Sequence, residues 1–271
     1  MHLNGRTVLI TGASSGIGAA TAHEMSRRGA TVILVARRAA QMRDVARGLS
    51  GLSSVYSCDV GDPDAVQQMA NAVLAEHGPP EVVVNNAGAG RWLFIEETEP
   101  SEFLDQVAVP FQAAFLVTRA FIEPMLERAS GRVVMVNSPA AYVPWPGAIG
   151  YACSRWGVRG FSESLAADLA ETGVGVTEVV AGHVDSDYFE ANPGTQQRLP
   201  ALDRAMRRLS PADVATTICD AVEGEKRRVI KPSELRFMLA LSRLVPRLGS
   251  SLAIGTGTRR RSVPLRPASP R

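Results

Sequence analysis

Short continuous apolar runs, rich in β-branched residues, alternate along the chain with longer segments of helical periodicity. Apolar runs without polar alternation are typical of strands that are covered on both faces of a parallel sheet. The runs predict strands at residues 7–11, 31–36, 54–58, 81–85, 132–137, 175–180 and 227–230. The helical periodicity predicts helices near residues 17–28, 39–48, 63–77, 101–127, 151–172 and 211–223. This alternation predicts a Rossmann-like, doubly wound α/β fold, with a seven-stranded parallel sheet and helices on both faces.

Size and charge suggest one folded body with a basic end. The chain has 271 residues, of which 45% are hydrophobic, and α/β chains of this size commonly form a single core. The net charge is +2, but residues 226–271 contain twelve Lys or Arg and a single Glu. We therefore predict a domain over residues 1–231 and a basic, amphipathic helical extension over residues 232–271, with disorder over the final stretch, 260–271.

The extension alternates apolar residues with arginines across residues 235–257. Its apolar runs are shorter than the roughly 18 to 20 residues that a spanning helix needs, and Pro246 interrupts them. The pattern predicts one or two amphipathic helices, so residues 235–261 are a candidate contact for an anionic membrane surface. In the alternative, of equal weight, the apolar face packs on the body of the protein or on a sister subunit. Nucleic acid is not expected as a partner, because the body is acidic.

The cysteines and the N-terminus bear on the cellular compartment. The chain contains three cysteines, Cys58, Cys153 and Cys219, in a spacing unlike that of a disulfide framework or a zinc site. No metal is therefore expected. The first residues lack the charged start and the long apolar run of a secretory signal. We expect a cytoplasmic protein, and the basic extension leaves open a peripheral attachment to the inner face of a membrane.

A glycine-rich turn, TGASSGIG at residues 11–18, directly follows the first predicted strand and opens the first predicted helix. Gly12, Gly16 and Gly18 allow the backbone to turn tightly and to approach a pyrophosphate closely. The N-terminus of the following helix presents free N–H groups and a partial positive charge. The strand before the turn and the helix after it therefore predict a dinucleotide site.

Several motifs together resemble the short-chain dehydrogenases/reductases. They are TGASSGIG, NNAG at residues 85–88, Asp59-Val60 after the third strand, and Tyr151 thirteen residues after Ser138. The resemblance covers about residues 5–230 and implies that residues 1–231 form an NADP-binding catalytic domain. The cofactor-binding residues that it implies are Gly12, Ser14, Ser15, Gly16, Ile17, Gly18, Arg37, Asp59, Val60, Asn86, Ala87, Gly88, Tyr151, Arg155, Gly182 and Val184. Asn86 is equally suited to brace the end of a strand.

The end of the second strand bears on the choice of cofactor. An acidic residue there would accept hydrogen bonds from the adenosine ribose of NAD and would repel the extra phosphate of NADP. This chain has Ala36, followed by Arg37 and Arg38. Arg37 can grip a 2′-phosphate through charge-assisted hydrogen bonds, and its alternative is a solvated charge at a helix start. The sequence therefore favours NADP over NAD.

At the reacting centre, the resemblance implies that Ser138 holds the substrate oxygen and that Tyr151 is the acid/base. Arg155 stands where the family has a lysine, and Pro110 stands where an asparagine holds a proton-relay water. A fixed cation at about 4 Å stabilises a phenolate by roughly 4 kcal/mol at an effective dielectric of about 20, so arginine can still activate the tyrosine. Arginine cannot release a proton, however, and Pro110 has no side-chain amide and kinks its helix.

These changes predict a slow or specialised NADP(H)-dependent oxidoreductase that interconverts a carbonyl compound and its alcohol. The alternatives are an NADP-binding pseudoenzyme or regulator without turnover, and a membrane-associated interaction protein. The residues expected on the substrate side are apolar or aromatic and favour a lipophilic substrate: Trp92, Tyr142, Val143, Trp145 and Tyr188. His183 is expected to be a hydrogen-bonding loop residue. The resemblance also implies a homodimer or homotetramer formed through the helices near 101–127 and 151–172.

Overall fold

Seven parallel strands form one sheet in the computed structural model, which describes residues 1–88, 90–201, 203, 206–244, 251 and 254–257. Within these residues the strand order is β3-β2-β1-β4-β5-β6-β7, and each neighbouring pair is parallel. The predicted doubly wound α/β fold is confirmed. The strands are β1 (Thr7–Thr11), β2 (Thr31–Ala36), β3 (Ser53–Ser57), β4 (Val82–Asn85), β5 (Gly131–Asn137), β6 (Val174–Ala181) and β7 (Arg228–Lys231).

Helices cover both faces of this sheet. They are α1 (Gly16–Arg27), α2 (Ala39–Arg47), α3 (Pro63–His77), α4 (Pro100–Val107), α5 (Ala113–Glu127), α6 (Ile149–Asp168), α7 (Tyr188–Ala191), α8 (Pro211–Glu223) and α9 (Ser233–Leu244). One core layer includes Met25 of α1 and Ile218 of α8. The opposite layer includes Val73 of α3, Phe121 of α5 and Val158 of α6. Because both faces are buried, the strands need the continuous apolar runs that predicted them.

The order of the strands reverses between β1 and β4, which are neighbours although two strands separate them in sequence. In doubly wound sheets a crevice opens at such a point, outside the carboxyl ends of the strands. The glycine-rich turn follows β1, and the NNAG motif begins at the end of β4. The topology therefore brings the two motifs together at one edge of the sheet.

The single helix predicted over residues 101–127 is wrong in one respect, because the structure divides it. A wide π-type turn, Ala108–Gln112, separates α4 from α5, and Val109 adopts the non-helical angles φ −127° and ψ 110°. Pro110 explains the break, since it has no N–H for the helical hydrogen bond and its ring clashes with the preceding turn. The kink that this proline predicts is present.

The helix α9 shows how the basic extension begins. Leu235 and Leu239 of α9 are buried, whereas Phe237 and Leu244 are exposed. The apolar residues of α9 thus pack partly on the body, as one of the two alternatives expects. Residues 245–250, 252–253 and 258–271, which include the stretch predicted to be disordered, lie outside the described residues, so attachment to an anionic membrane stays a prediction. Within the described part of the chain, no helix combines the length and the apolar character needed to cross a bilayer.

Candidate active site

A cleft of about 910 Å³ opens at the carboxyl ends of the strands, where the topology places the glycine-rich turn beside the NNAG motif. Residues at or after the ends of six strands line it: the turn after β1, the ends of β2 and β3, and the segments after β4, β5 and β6. The cleft is therefore one continuous space that runs from the glycine-rich turn to the predicted catalytic residues.

Two glycines make the turn compact enough to receive a phosphate. Gly12 has a φ of +65°, and a Cβ atom at this position would lie 2.9 Å from the Cα atom of Ala87. A Cβ atom at Gly18 would lie 2.2 Å from the carbonyl oxygen of Gly12. Only hydrogen fits in either place, so the backbone of the turn stays open toward the cleft at the N-terminus of α1. These cradles fit a dinucleotide pyrophosphate.

Hydrogen bonds connect the NNAG motif to Thr11 at the end of β1. Nδ2 of Asn86 donates to the carbonyl oxygen of Thr11 at 2.9 Å, and the Thr11 hydroxyl oxygen accepts from the N–H groups of Asn86 and Ala87, both at 3.0 Å. Asn86 also lines the cleft. Asn86 thus makes the bracing contact that the sequence left as an alternative. It also lies where a cofactor residue is expected.

Two arginines lie at the far end of the cleft, beyond the end of β2. Nη2 of Arg38 donates to the hydroxyl oxygens of Ser14 and Ser15, at 3.0 and 2.9 Å, and both Arg37 and Arg38 line the cleft. Sequence reasoning favoured Arg37 alone and did not select Arg38, although the two are adjacent. A cation held beside two hydroxyl groups fits an anionic phosphate group.

All but one of the predicted cofactor residues line the cleft. Gly18 is not among the described residues that line the cleft, because it packs against Gly12 behind the turn. The remaining ones line the cleft: Gly12, Ser14, Ser15, Gly16, Ile17, Arg37, Asp59, Val60, Asn86, Ala87, Gly88, Tyr151, Arg155, Gly182 and Val184.

At the reacting end, an arginine faces the predicted acid/base. Tyr151 and Arg155 lie one turn apart on α6, and the Arg155 Cζ atom is 5.0 Å from the centroid of the Tyr151 ring. Nη1 of Arg155 donates to the carbonyl oxygen of Val136 at 3.1 Å. A Cβ atom at Gly88 would lie 2.7 Å from Nη2 of Arg155, so this glycine leaves space for the guanidinium group. The cation is thus held against the tyrosine in a buried position.

Ser138 follows the last residue of β5 and begins the short helical turn Pro139–Ala141. Its hydroxyl oxygen accepts from the N–H of Ala140 at 3.3 Å, which leaves the hydroxyl proton available as a donor. Ser138, Tyr151 and Arg155 all line the same cleft. The structure therefore brings the three predicted catalytic residues together.

Aromatic rings surround Tyr151 on the side of the cleft that is predicted to face the substrate. The Trp92 ring lies 5.5 Å from the Tyr151 ring and 5.3 Å from the Trp145 ring, measured between centroids. The Tyr188 ring lies 6.3 Å from that of Tyr151. Burial raises the pKa of Tyr188, a charge on Tyr151 would raise it further, and the Arg155 cation only partly opposes them. The Tyr188 hydroxyl, which donates to the carbonyl oxygen of Gly90 at 2.6 Å, therefore stays protonated and acts as a wall of the cleft.

Two of the predicted substrate residues are placed elsewhere. Tyr142 and Val143 are not among the described residues that line the cleft. The Tyr142 hydroxyl donates to Glu178 Oε2 at 2.6 Å, and the Arg159 guanidinium lies 4.1 Å from the centroid of its ring. The helical turn after Ser138 sends the chain toward β6, away from the cleft. The structure thus places Tyr142 and Val143 outside the lining of the cleft, and their contact with a substrate stays a prediction.

The segment after β6 leaves the sheet and returns to it beside the cleft. Val184 and Leu209 form a parallel bridge, and the N–H of Leu209 donates to the carbonyl oxygen of His183 at 2.9 Å. The buried His183 Nδ1 lies 2.6 Å from Asp203 Oδ2, so the ring ties the excursion to its base. Sequence reasoning did not select six described residues of this excursion that line the cleft, because their placement depends on the fold: Ser186, Asp187, Phe189, Asn192, Leu199 and Asp203.

One cysteine, Cys58, also lines the cleft, near Asp59 and Asp62. Burial, and then the two neighbouring carboxylates, raise the pKa of the Cys58 thiol to about 11. The thiol is therefore protonated at neutral pH and is a poor nucleophile. Ser138, Tyr151 and Arg155 stay the predicted catalytic residues of the cleft.

Comparisons with known proteins agree with this geometry. The short chain dehydrogenase family model matches residues 6–197. The chain is similar to a probable oxidoreductase, EphD, of Mycobacterium tuberculosis, with 34% identity over an alignment of 263 residues. The alignment covers 91% of this chain and 44% of that protein, so the chain spans less than half of its relative's length.

Two solved structures share the fold. A short-chain dehydrogenase from Streptomyces avermitilis has a TM-score of 0.79 and 28% identity, covering 92% of this chain and 97% of that one. A metagenomic short-chain oxidoreductase in complex with NADP has a TM-score of 0.71 and 29% identity, covering 85% and 97%. With the family match over most of the chain, these findings lead to one conclusion: the chain belongs to the short-chain dehydrogenase family of oxidoreductases.

Proposed function

We propose that the protein is an NADP(H)-dependent oxidoreductase that interconverts a lipophilic carbonyl compound and its alcohol. The observation that carries this proposal is the buried Arg155 guanidinium held 5.0 Å from the ring of Tyr151, in the same cleft as Ser138 and the glycine-rich turn. The catalytic domain is proposed to span residues 1–231. A homodimer or homotetramer fits the exposed Phe115 and Trp156 on α5 and α6.

The preference for NADP rests on charge at the end of β2. Position 36 carries an alanine, so no carboxylate there repels a 2′-phosphate. Arg38 is held on the hydroxyl groups of Ser14 and Ser15, with Arg37 beside it. The metagenomic relative with a similar fold was solved in complex with NADP.

Each catalytic residue has a separate task. The bound cofactor supplies or accepts the hydride. Ser138 donates a hydrogen bond to the substrate oxygen, and Tyr151 donates the proton during reduction. Arg155 stabilises the resulting phenolate by its fixed charge, worth roughly 4 kcal/mol at about 4 Å and an effective dielectric of about 20. Because an arginine holds its proton at any physiological pH, the proton must return to Tyr151 from solvent, which makes the reaction slow.

The aromatic walls support a lipophilic substrate. Trp92, Trp145 and Tyr188 form a cluster around Tyr151 with Leu199, so a carbonyl compound enters a space with apolar sides. A buried ring surface of this kind stabilises apolar ligands by removing their surface from water. Small hydrophilic aldehydes should therefore be poorer substrates.

The test is NADPH consumption over a panel of lipophilic aldehydes and ketones, with the wild type, Tyr151→Phe and Arg155→Lys. We expect turnover by the wild type, a loss of about 10²- to 10⁴-fold in Tyr151→Phe, which lacks the acid/base, and retained turnover in Arg155→Lys. The parallel measurement is NADPH binding, which Tyr151→Phe should keep. If all three proteins bind NADPH and none consumes it, the oxidoreductase proposal fails and the alternative of a nucleotide-binding regulator replaces it.

A further inference from the structure

A fully buried carboxylate lies on β6, behind the reacting end of the cleft. The side chain of Glu178 has no exposed surface. Its Oε1 atom accepts from Asn137 Nδ2 at 2.8 Å, and its Oε2 atom accepts from the Tyr142 hydroxyl at 2.6 Å and from Arg228 Nε at 2.7 Å. A carboxylate with three donors from three different segments links β5, β6 and β7 at one point.

Burying the charge of Glu178 costs free energy, and the neighbouring Arg228 cation offsets this cost. An unpaired carboxylate in the interior would lose several kcal/mol of hydration. Burial acts against the Arg228 cation as well, but its bonds to Glu178 outweigh burial and raise the pKa of Arg228. Arg228 also contacts Glu163 on α6. The pair thus connects the surface of α6 to the inside of the sheet.

The Asn137 amide transmits the position of Glu178 to the catalytic residues. Its Oδ1 atom accepts from the N–H of Ser138 at 2.9 Å, and its Nδ2 atom donates to the carbonyl oxygen of Arg155 at 3.3 Å as well as to Glu178. Because a carboxylate only accepts, Glu178 requires Nδ2 to face it, and Oδ1 must then face Ser138. The carboxylate therefore decides which way the amide points.

We propose that Glu178 is a positioning residue that acts through Asn137 to hold Ser138 and the Tyr151–Arg155 turn of α6 in one fixed arrangement. Glu178 is not among the described residues that line the cleft, so it has no direct contact with substrate or cofactor. The inference rests on the proposed oxidoreductase function. Its consequence is that the relative placement of serine and tyrosine depends on a charge buried on a neighbouring strand.

The first test is Glu178→Gln, which keeps the shape but removes the charge and lets the amide at 178 present a donor to Asn137. Misplacement of reacting groups by about 1 Å can cost about 10²-fold in rate, so we expect kcat to fall by about tenfold to a hundredfold. The KM for NADPH and for the carbonyl compound should change much less than kcat, because the glycine-rich turn and the aromatic rings are untouched. A rise in KM at constant kcat would overturn the inference.

The matched control is Thr177→Val on the same strand. Thr177 is fully buried and also carries a polar network, since its hydroxyl donates to the Lys226 carbonyl at 2.8 Å and accepts from Arg132 at 3.0 Å. Adjacent strand residues point to opposite faces, so this network lies away from Asn137. We expect Thr177→Val to lower the melting temperature and to leave kcat unchanged. If Thr177→Val and Glu178→Gln lose kcat in proportion to their loss of stability, the role of Glu178 is merely structural and the inference fails.

Asn137→Ala tests the same link without leaving Glu178 unpaired, since Tyr142 and Arg228 still contact it, and it carries the test if Glu178→Gln does not fold. It should reproduce the loss of kcat, and the double variant should lose no more than either single one, because both changes break one connection. Additive losses would overturn the inference.

A wild type without turnover would overturn the proposed function and this inference together. An active wild type whose kcat is equalled by Glu178→Gln and Asn137→Ala would overturn this inference alone.

Discussion

The two ends of the cleft are built in different ways. The cofactor end is built around consecutive backbone after β1, in which Gly12 and Gly18 leave no space for a side chain. The reacting end consists of side chains from separate segments, with Trp92, Tyr151 and Tyr188 in contact although they are far apart in sequence. A motif can encode the first end almost alone, whereas the second end exists only once the chain has folded.

This difference determines what a substitution should do at each end. At the cofactor end the cost is steric, and it should fall on the affinity for NADPH. At the reacting end, the loss of a charge should lower kcat. The loss of an apolar contact there should raise the KM for the carbonyl compound. The following substitutions separate these effects.

The largest effect is expected from removing the charge that faces Tyr151. Arg155→Met keeps an unbranched apolar stem but loses an interaction of roughly 4 kcal/mol, so kcat should fall by about a hundredfold to a thousandfold. Arg155→Lys keeps a cation and should keep most of the rate. Single-turnover hydride transfer from NADPH measures both, and equal rates for the Met variant and the wild type would show that the charge is not used.

At the opposite end, Gly18→Ala would place a Cβ atom 2.2 Å from the Gly12 carbonyl oxygen, so the turn must shift. Overpacking of this kind costs about 1–3 kcal/mol, and the Kd for NADPH should rise by about tenfold to a hundredfold in a fluorescence titration. Gly160→Ala is the control, because a Cβ atom on that residue of α6 meets nothing within 4 Å. An unchanged Kd in Gly18→Ala would mean that the turn does not shape the cofactor site.

The discrimination between NADPH and NADH should depend on Arg38. A charge-assisted hydrogen bond contributes about 1.5–3 kcal/mol, so Arg38→Ala should reduce the preference for NADPH by about tenfold or more while NADH binding stays constant. Titration of both cofactors with Arg38→Ala and Arg37→Ala shows which arginine carries the preference. If Arg38→Ala weakens both cofactors equally, its contacts with Ser14 and Ser15 serve only to hold the turn.

A smaller effect is expected on the substrate side. Trp92→Ala removes a ring contact worth about 0.5–1.5 kcal/mol in addition to buried surface, so the KM for a lipophilic carbonyl should rise by about threefold to tenfold. Tyr142→Phe should not change this KM, because Tyr142 lies outside the cleft. Steady-state kinetics at saturating NADPH measures both. A larger KM in Tyr142→Phe than in Trp92→Ala would reverse the placement of these aromatic residues.

The smallest effect concerns neither end of the cleft. Arg28 joins α1 to α8 through Glu24 at 2.7 Å, Asp220 at 2.8 Å and Glu223 at 2.6 Å. The hydrogen bond from Arg27, and then that from Arg28, hold the pKa of Glu24 below its ordinary value of 4.5 despite burial. A carboxyl group with a lowered folded pKa stabilises the protein above its unfolded pKa, and this contribution is lost as the pH falls through the folded value.

Arg28→Ala should therefore lower the free energy of unfolding at pH 7 by about 1–2 kcal/mol, and this difference should shrink below the ordinary carboxyl range. Urea unfolding at pH 7 and at pH 3 measures it, with NADPH affinity as the control that should not move. A difference that grows in acid would contradict the assignment.

The sequence predicts the sheet well because most strands correspond to a continuous apolar run. The bounds of β1 and β2 match the apolar runs, and β6 extends the predicted run 175–180 by one residue at either end. The prediction of one continuous helix over 101–127 was wrong, because the apolar periodicity continues across Pro110 while the helical conformation of the backbone is interrupted there. Local patterns thus specify the strands, but a break inside a helix depends on one residue's missing N–H group.

The site was predictable to the extent that it is local. The glycine-rich turn, Ser138 and Tyr151 follow motifs, whereas Arg38 required knowing which of two adjacent arginines turns toward Ser14 and Ser15. Tyr142 and Trp145 have the same kind of sequence signal, yet only Trp145 lines the cleft, because the turn after Ser138 orients them differently. Phe189 and Leu199 gave no signal, since their position depends on where the segment after β6 returns.

That return has a consequence for how such a protein can diversify. The excursion leaves and rejoins the body at the bridge between Val184 and Leu209, so its two ends are neighbours in space. Loops with adjacent ends tolerate changes in length and sequence at small cost in chain entropy. We therefore expect that a change of sequence between residues 185 and 208 can reshape this wall of the cleft while the sheet, the glycine-rich turn and Tyr151 stay in place.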